Sequence, residues 1–561
     1  MLIGVQGFKL FFSFSIVLRN LHNVRLLSKI LLFWVANHLI CSAGPGDGNL
    51  RDTSTAQAKN SDRHVLLMVW DGMRPDFLTE ANAPNLWKLA QSGVLFRNHH
   101  AVYPSATEVN GTAINTGGYP ANDGIVGNSE YRPAIDPLQS IHTEIPAGVR
   151  KGDRNLDGHY LKMPTIAELV RKSGRKTAVA AAKPIGLLPD RAERTTAEQG
   201  ANFFAGSTLP ENLLAQLTNA LGTFPKDTSN EPTRNDWTTR AMIEQLWDGG
   251  VPAFSLLWLN QPDSSQHTTG PGSPQSLAAI RNADDNLGRV LQLLDKKGVR
   301  DSTDILIVSD HGCSTVAENC DLAAALQKAG INAKREFKTE PAEGEVLIVS
   351  NSGSTFVYVI GHQGETIAKI VKFLQTWDFT GVIFAKNATP GTFALSQIHL
   401  DSQDAPDIAV SLRWTAEKSG NGTPGMLVGD KTSFGAGQGA HCSLSPYDMS
   451  ATLVAAGPSF HSGVTSTVPT GNVDVAPTIL HLLGIDSKTD GRILNEALKG
   501  APASVTPSQP RRIEALANNG GIIWRQYLKT VEVNGVHYIE EGNGSQTRPS
   551  SSRSPTTEGK P

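Results

Sequence analysis

The sequence predicts a doubly wound α/β protein with a mostly parallel central sheet and helices on both faces. Three observations predict it. Short apolar runs stop abruptly at polar residues, as strands buried on both faces do. Stretches with helical apolar spacing lie between them. Acidic or basic residues stand where the runs stop, where ligand sites gather in open α/β sheets.

The elements follow in order. Residues 64–70 (HVLLMVW) read as a strand ending at Asp71. Residues 83–93 and 164–173 read as helices, and a shorter one spans 108–115. Residues 176–182 (KTAVAAA) form a strand that stops at Lys183, and residues 253–259 (AFSLLWL) one that leads into Asn260. The longest helix covers 276–298, with Leu277, Ile280, Leu287, Val290, Leu291 and Leu294 on its apolar face. Residues 304–309 (DILIVS) form a strand that stops at Asp310. Strands alternating with helices are the pattern of a parallel sheet.

The ends differ in kind. Residues 30–43 are uncharged for 14 positions after Arg25 and Lys29, and Cys41-Ser42-Ala43 offers small residues for cleavage. This predicts a signal peptide or N-terminal anchor over 1–43, hence an exported protein. The first twenty-odd residues are surplus to such a signal, which suggests a translation start near Val24. Residues 44–61 read as a linker, and 542–561, rich in Ser, Thr, Pro and Gly, as a disordered tail. Lys and Arg number 50 against 53 Asp and Glu, which gives no basic bias for nucleic acid, and 4 cysteines in 561 residues exclude a disulfide scaffold. Membrane contact is expected only through an uncleaved N-terminus. Cys313 and Cys320 flank a short loop and could pair or stay free; Cys442 reads as structural.

Six residues suit metal binding: Asp71; Asp310 and His311; Asp263 and His267, four apart in NQPDSSQHTTGP; and His441 in GQGAHCSLSPYDM. Carboxylates mixed with imidazoles suit Zn²⁺, with Mn²⁺ or Fe as alternatives. Two sets of three ligands would make a two-metal hydrolytic site. Each residue alone could be a turn or cap residue. Thr107, in YPSATEVNG, opens a helix, where anions are favoured; a threonine there is commonly an N-cap.

These residues resemble the nucleotide pyrophosphatase/phosphodiesterase branch of the alkaline phosphatase superfamily. The likeness runs through WDGMRPDF, APNLWKLAQSGVLF, YPSATEVNGTAINTGGYPANDGIVGN, QPDSSQHTTGPGSP, IVSDHG, GAHCSLSPYDMSATLVAAGPSF and TGNVDVAPTILHLLGI. The resemblance implies an alkaline phosphatase-like catalytic domain over 62–312 and 430–541. A small α/β cap would occupy 313–429, with helices at 323–329 and 367–376 and a hairpin at 345–360. It implies Asp71, Asp310 and His311 for one divalent ion, and Asp263, His267 and His441 for the other, zinc in both. Thr107 becomes the metal-contacting nucleophile that is transiently phosphorylated. Asn128 becomes a hydrogen-bond donor to a phosphoryl oxygen. The implied substrate is a small-molecule phosphodiester or pyrophosphate; a phosphomonoesterase or phosphonate hydrolase on the same site is the alternative.

Two departures bear on substrate. The family's diesterases carry phenylalanine after the nucleophile, where this chain has Glu108. That departure counts against nucleotide specificity, since the missing ring would line a nucleobase pocket, and the Glu108 carboxylate could repel an anionic substrate. Lys183 resembles a lysine of monoesterase and phosphonate-hydrolase relatives, but their second basic residue is Ile185 here. The PSATE segment lacks the formylglycine pattern of sulfatases. Near the end, residues 530–540 carry Asn534-Gly535 between alternating apolar residues, a hairpin signal.

Overall fold

The computed structural model describes residues 63–548 except 227–231, 388, 502–504, 506 and 508. The expected signal and linker, and residues 549–561 of the tail, lie outside the described residues.

A nine-stranded sheet carries the site. Its strands in chain order are β1 (His64–Trp70), β2 (Val94–Phe96), β3 (Thr177–Ala181), β4 (Gly200–Phe204), β5 (Ser207–Leu209), β6 (Phe254–Leu259), β7 (Thr303–Val308), β8 (Leu453–Ala456) and β9 (Val464–Ser466). Their order in space is β9-β2-β8-β7-β1-β6-β3-β4-β5. The block β7-β1-β6-β3-β4 is parallel throughout. Antiparallel pairs enter at β7/β8, β8/β2 and β4/β5.

The period of two along β1 explains the layers. Val65, Leu67 and Val69 enter one core, and Leu66, Met68 and Trp70 the other. Each such buried side chain contributes about 2 kcal/mol of transfer free energy. The first core is covered by helices Thr107–Thr116, Ile166–Lys172 and Val475–Leu482, the second by Pro84–Ser92 and Pro274–Lys296. Local chemistry sets the helix starts. Ser273 accepts from the Ser276 N–H with Pro274 at the first position, and Thr165 with Glu168 forms a reciprocal cap.

Between His311 and His441 the chain builds a six-stranded sheet, ordered Ala333–Lys334, Val346–Asn351, Ser354–Val359, Ile408–Leu412, Thr380–Ala385 and Phe393–Ala394. One face packs helices Leu322–Lys328 and Gly364–Leu374. Leu347, Val349 and Phe356 on the other share a core with Tyr103, Val126, Leu444, Leu528 and Ile539. The insert therefore shares a core with the segments around Tyr103, Val126 and Leu444 and with the C-terminal strands. At the C-terminus, Arg511–Asn519, Ile522–Val533 and Val536–Thr547 form a three-stranded sheet. Asn534 and Gly535 make its tight turn with φ of 52° and 85°. The last strand continues to Thr547, through residues assigned from composition to the tail. Pairing from Ile523 to Lys529 and bonds of Gly542 and Asn543 to Leu444 and Trp414 hold it there.

Candidate active site

Four adjacent parallel strands end at the same edge. Asp71 follows β1, Asp310-His311 follow β7, the loop after β6 reaches Asp263, and Lys183 follows β3. The turn after β1 needs glycine: Gly72 has φ of 71°, and a Cβ there would lie 2.9 Å from that of Asp263. Its N–H donates to Asp310 Oδ1 at 3.0 Å, joining the first two loops. Asp263 and His267 fall on a helix, Asp263–Thr269, rather than on a loop. Their four-residue spacing puts both on one face. His441 enters from the far side of the insert, beside the short strand Gly439–Ala440.

The six Asp and His residues meet. Ligand atoms of Asp71, Asp310 and His311 lie within 4.8 Å of one another, as do those of Asp263, His311 and His441. His311 thus belongs to both clusters, although its motif assigns it to one. His267 stands at the edge of the second, its Nε2 3.2 Å from Asp263 Oδ1.

Each member is tied on one side and open on the other. Asp71 Oδ2 accepts from Trp258 Nε1 at 2.9 Å, and Asp310 Oδ1 accepts from the Gly72 and His311 N–H groups. Asp263 Oδ2 accepts from Lys183 at 2.6 Å. The second oxygens, Asp71 Oδ1, Asp310 Oδ2 and Asp263 Oδ1, are buried without a hydrogen-bond partner among the described residues. The histidines match them. Nδ1–H donates to a backbone carbonyl in each: His267 to Gly439, His311 to Gly312, His441 to Ser105, at 2.7–2.8 Å. This fixes the tautomer and turns each Nε2 lone pair inward. Lone pairs facing orphaned carboxylate oxygens are a donor arrangement that a cation can bind. The donor set therefore fits divalent metal ions.

The electrostatics agree. Burial, then the neighbouring Asp310, pushes Asp71 up to about 7. Burial also pushes Asp310 up to about 7, against the Lys183 charge. Burial acts to raise Asp263, but His267 and Lys183 outweigh it and its carboxyl falls well below the usual range. Burial lowers His311, and lowers His441 far more with His311 stacked on it at 3.7 Å. Burial acts to lower His267, but Asp263 outweighs it and the net shift is upward. Three buried carboxylates share one ammonium: Lys183 Nζ lies 2.6 Å from Asp263 and 2.9 Å from Asp71.

Thr107 is the first residue of its helix, not the cap. That place belongs to Ala106, which has no side chain to cap with. The Thr107 hydroxyl is instead 3.2 Å from His311 Nε2, to which it donates. Asn128 Oδ1 accepts from the Glu108 N–H at 3.1 Å, and its Nδ2 donates to Glu144 Oε1 at 3.1 Å. Glu108 is 2% exposed; burial, then Glu144, pushes its carboxyl well above the ordinary value. Cys313, Cys320 and Cys442 are all free and buried, so the first two do not pair.

The motifs did not single out several supporting residues. Asn472 is the clearest. Its Nδ2 donates to Asp310 O at 2.7 Å and to Asn110 Oδ1 at 2.9 Å, while His99 Nε2 bonds its Oδ1. It clamps the Asp310 loop to the helix that begins at Thr107. It lies inside TGNVDVAPTILHLLGI, so that segment was the available signal.

Comparison with known proteins bears on the family and the fold. Ectonucleotide pyrophosphatase/phosphodiesterase family member 3 of Mus musculus is 26% identical over 267 residues, 46% of this chain and 25% of that protein. The chain thus spans about a quarter of that relative's length. Bis(5'-adenosyl)-triphosphatase enpp4 of Mus musculus is 24% identical over 443 residues, covering 78% of this chain and 80% of that one. Murine ectonucleotide pyrophosphatase/phosphodiesterase 5 superposes with a TM-score of 0.56 at 16% identity, over 78% of this chain and 100% of that chain, which shows a shared fold. The family model for type I phosphodiesterase / nucleotide pyrophosphatase matches residues 65–410, and the chain belongs to that family.

Proposed function

We propose that the chain hydrolyses phosphodiesters or pyrophosphates through a phosphothreonine at Thr107. One observation carries the reading: six Asp and His side chains, each tied on one side and open on the other, converge at one sheet edge, and one of them, His311, lies 3.2 Å from the hydroxyl at the N-terminus of a ten-residue helix. In this reading Asp71, Asp310 and His311 hold one divalent ion and Asp263, His267 and His441 the other, with zinc favoured by the ligand types. When bound, the two ions supply positive charge at the phosphoryl oxygens and at the attacking and leaving oxygens.

The chain's own residues do the rest. The positive end of the helix that begins at Thr107 favours a phosphate there. Thr107 Oγ forms a bond to phosphorus as the bond to the leaving oxygen breaks, and the hydroxyl proton goes by way of solvent to the leaving group. Water then attacks phosphorus, restores the Thr107 hydroxyl and releases a phosphomonoester. Asn128 Nδ2 exchanges Glu144 for a phosphoryl oxygen. Lys183, bonded to two carboxylates, balances the charge of the cluster. That engagement favours the diesterase reading over a monoesterase, which would need the ammonium free for a dianion.

The names of the relatives, ecto-enzymes among them, support export through residues 1–43. Residues 313–429 then act as a cap on a catalytic unit built from 62–312 and 430–541. Among the described residues, no helix is long and apolar enough to cross a membrane. The test is stereochemical. Two displacements in line give retention at a chiral phosphorothioate diester; inversion would overturn the covalent route.

A further inference from the structure

One buried carboxylate outside the ligand set joins two of its loops. Asp448 is fully buried, on the short helix Pro446–Met449. Its Oδ1 accepts from the Ser314 hydroxyl at 2.5 Å. Its Oδ2 accepts from the Ser443 hydroxyl at 2.6 Å and from the Ser443 N–H at 3.1 Å. Its backbone carbonyl accepts from the Gly312 N–H at 2.8 Å. Hydroxyls this close make charge-assisted bonds to an ionised carboxylate. Burial pushes the carboxyl up to about 6, with both hydroxyls pulling the other way.

The donors come from segments far apart in the chain. Gly312 and Ser314 follow His311, and Ser443 follows His441. Each histidine is held by the same stretches of backbone. His311 Nδ1–H donates to Gly312 O. His441 Nδ1–H donates to the carbonyl of Ser105, whose hydroxyl bonds Ser443 O at 3.2 Å. Asp448 thus ties together two loops whose imidazoles stack at 3.7 Å and 17°. His441 also lines a groove of about 340 Å³ beside the cluster, with Asn128, Glu144, Lys431 and Phe434. The Phe434 ring stacks on His267 at 4.0 Å. The position of His441 therefore bears on the ion site and on the groove together.

We infer that Asp448 is a positioning residue that fixes His441 against His311, and through them the spacing of the two ions. The inference rests on the two-ion reading above. An in-line displacement needs the ions about 3.5–4 Å apart. A His441 ring freed from its partner takes its Nε2 out of the second donor set and leaves Asp71, Asp310 and His311 in place.

Mn²⁺ alone is the probe, because two Mn²⁺ ions at that spacing couple and give a multiline paramagnetic resonance signal. The wild-type protein, stripped and reloaded, is expected to bind two ions per chain and to show the coupled signal. In Asp448→Ala the affinity for the weaker ion is expected to fall about tenfold, and the signal of isolated ions to replace the coupled one. Ser443→Ala removes one arm and keeps the carboxylate; it is expected to move both readouts the same way by a smaller factor. Asp304→Ala is the control. Asp304 is a buried carboxylate that accepts from the Ser459 hydroxyl and N–H, at the opposite end of β7 from Asp310. Its loss is expected to cost stability and leave the coupling unchanged. Unchanged readouts in Asp448→Ala, or in Ser443→Ala where Asp448→Ala does not fold, would overturn the inference with the two-ion reading intact. So would an equal loss of coupling in Asp304→Ala. A wild-type protein without a coupled pair would overturn the two-ion reading and this inference with it.

Discussion

The strand-end cluster and the groove beside it are adjacent but built differently. In the cluster, Asp71, Asp263, Asp310 and His311 are at most 1% exposed, and every ligand candidate has one atom fixed by a neighbour. In the groove, Glu144 and Lys431 are exposed and held by single contacts. The difference teaches where each kind of information resides. In the proposed reading the reaction is set by side chains that the sheet places rigidly. In the same reading the substrate is set by loops from distant segments, which can change without disturbing the sheet.

The largest effect should come from the cluster's hydroxyl. Thr107→Ala is expected to lower kcat by at least about a thousandfold with metal content unchanged. Metal analysis beside the rate distinguishes a lost nucleophile from a lost site.

Next come the carboxylates. Asp71→Asn is expected to cost most of the bound metal and most of the activity. The same substitution should stabilise the metal-free protein, since it removes a buried charge beside Asp310. The sign follows from the shifts. Asp71 and Asp310 rise to about 7 from an ordinary 3.8, so the protonated folded form is favoured. Their contribution to stability is fully present below about pH 4 and is lost as pH rises through about 7. Stripped of metal, the wild-type protein should therefore lose Tm relative to Asp71→Asn between pH 4 and 7. Loaded with metal, it should gain Tm over that range, because the ions bind the deprotonated carboxylates. Thermal melts at several pH values, with and without chelator, check both slopes.

A smaller effect is expected from Asn472→Ala, which leaves Asp310 O and the Asn110 side chain without their shared donor. The loss should be roughly 3 kcal/mol of stability, read by denaturant unfolding. Smallest is Phe434→Ala. It removes a ring stacked on His267 at the groove rim, so KM should shift a few-fold with kcat nearly unchanged. A large kcat effect would mean that groove and cluster are not separable in the way described.

Much of the cluster was legible in the sequence because its chemistry sits at strand ends. An apolar run closed by an acid, as in HVLLMVWD and DILIVSD, marks both the strand and the ligand. Less legible was anything set by tertiary pairing. Strand Leu453–Ala456 runs antiparallel to β7, a direction no local pattern encodes. Asn472 is an ordinary polar residue until folding brings Asp310, Asn110 and His99 to it. Thr107 looked like a cap because threonine before a helix usually is one; the hydroxyl is drawn to His311 instead. The strand through Gly542 and Thr547 was hidden by tail-like composition and is held by partners in Leu444 and Trp414. His311 could be assigned to a cluster by motif, but its place in both clusters is a matter of distance.

The central claim is that Thr107 is the nucleophile. Acid quenching during turnover of a p-nitrophenyl diester, followed by peptide mass spectrometry, tests it most directly. An alkyl-phosphoryl adduct is expected on the peptide containing Thr107, absent in Thr107→Ala. An adduct on another residue, or none at any quench time while product forms, would contradict it.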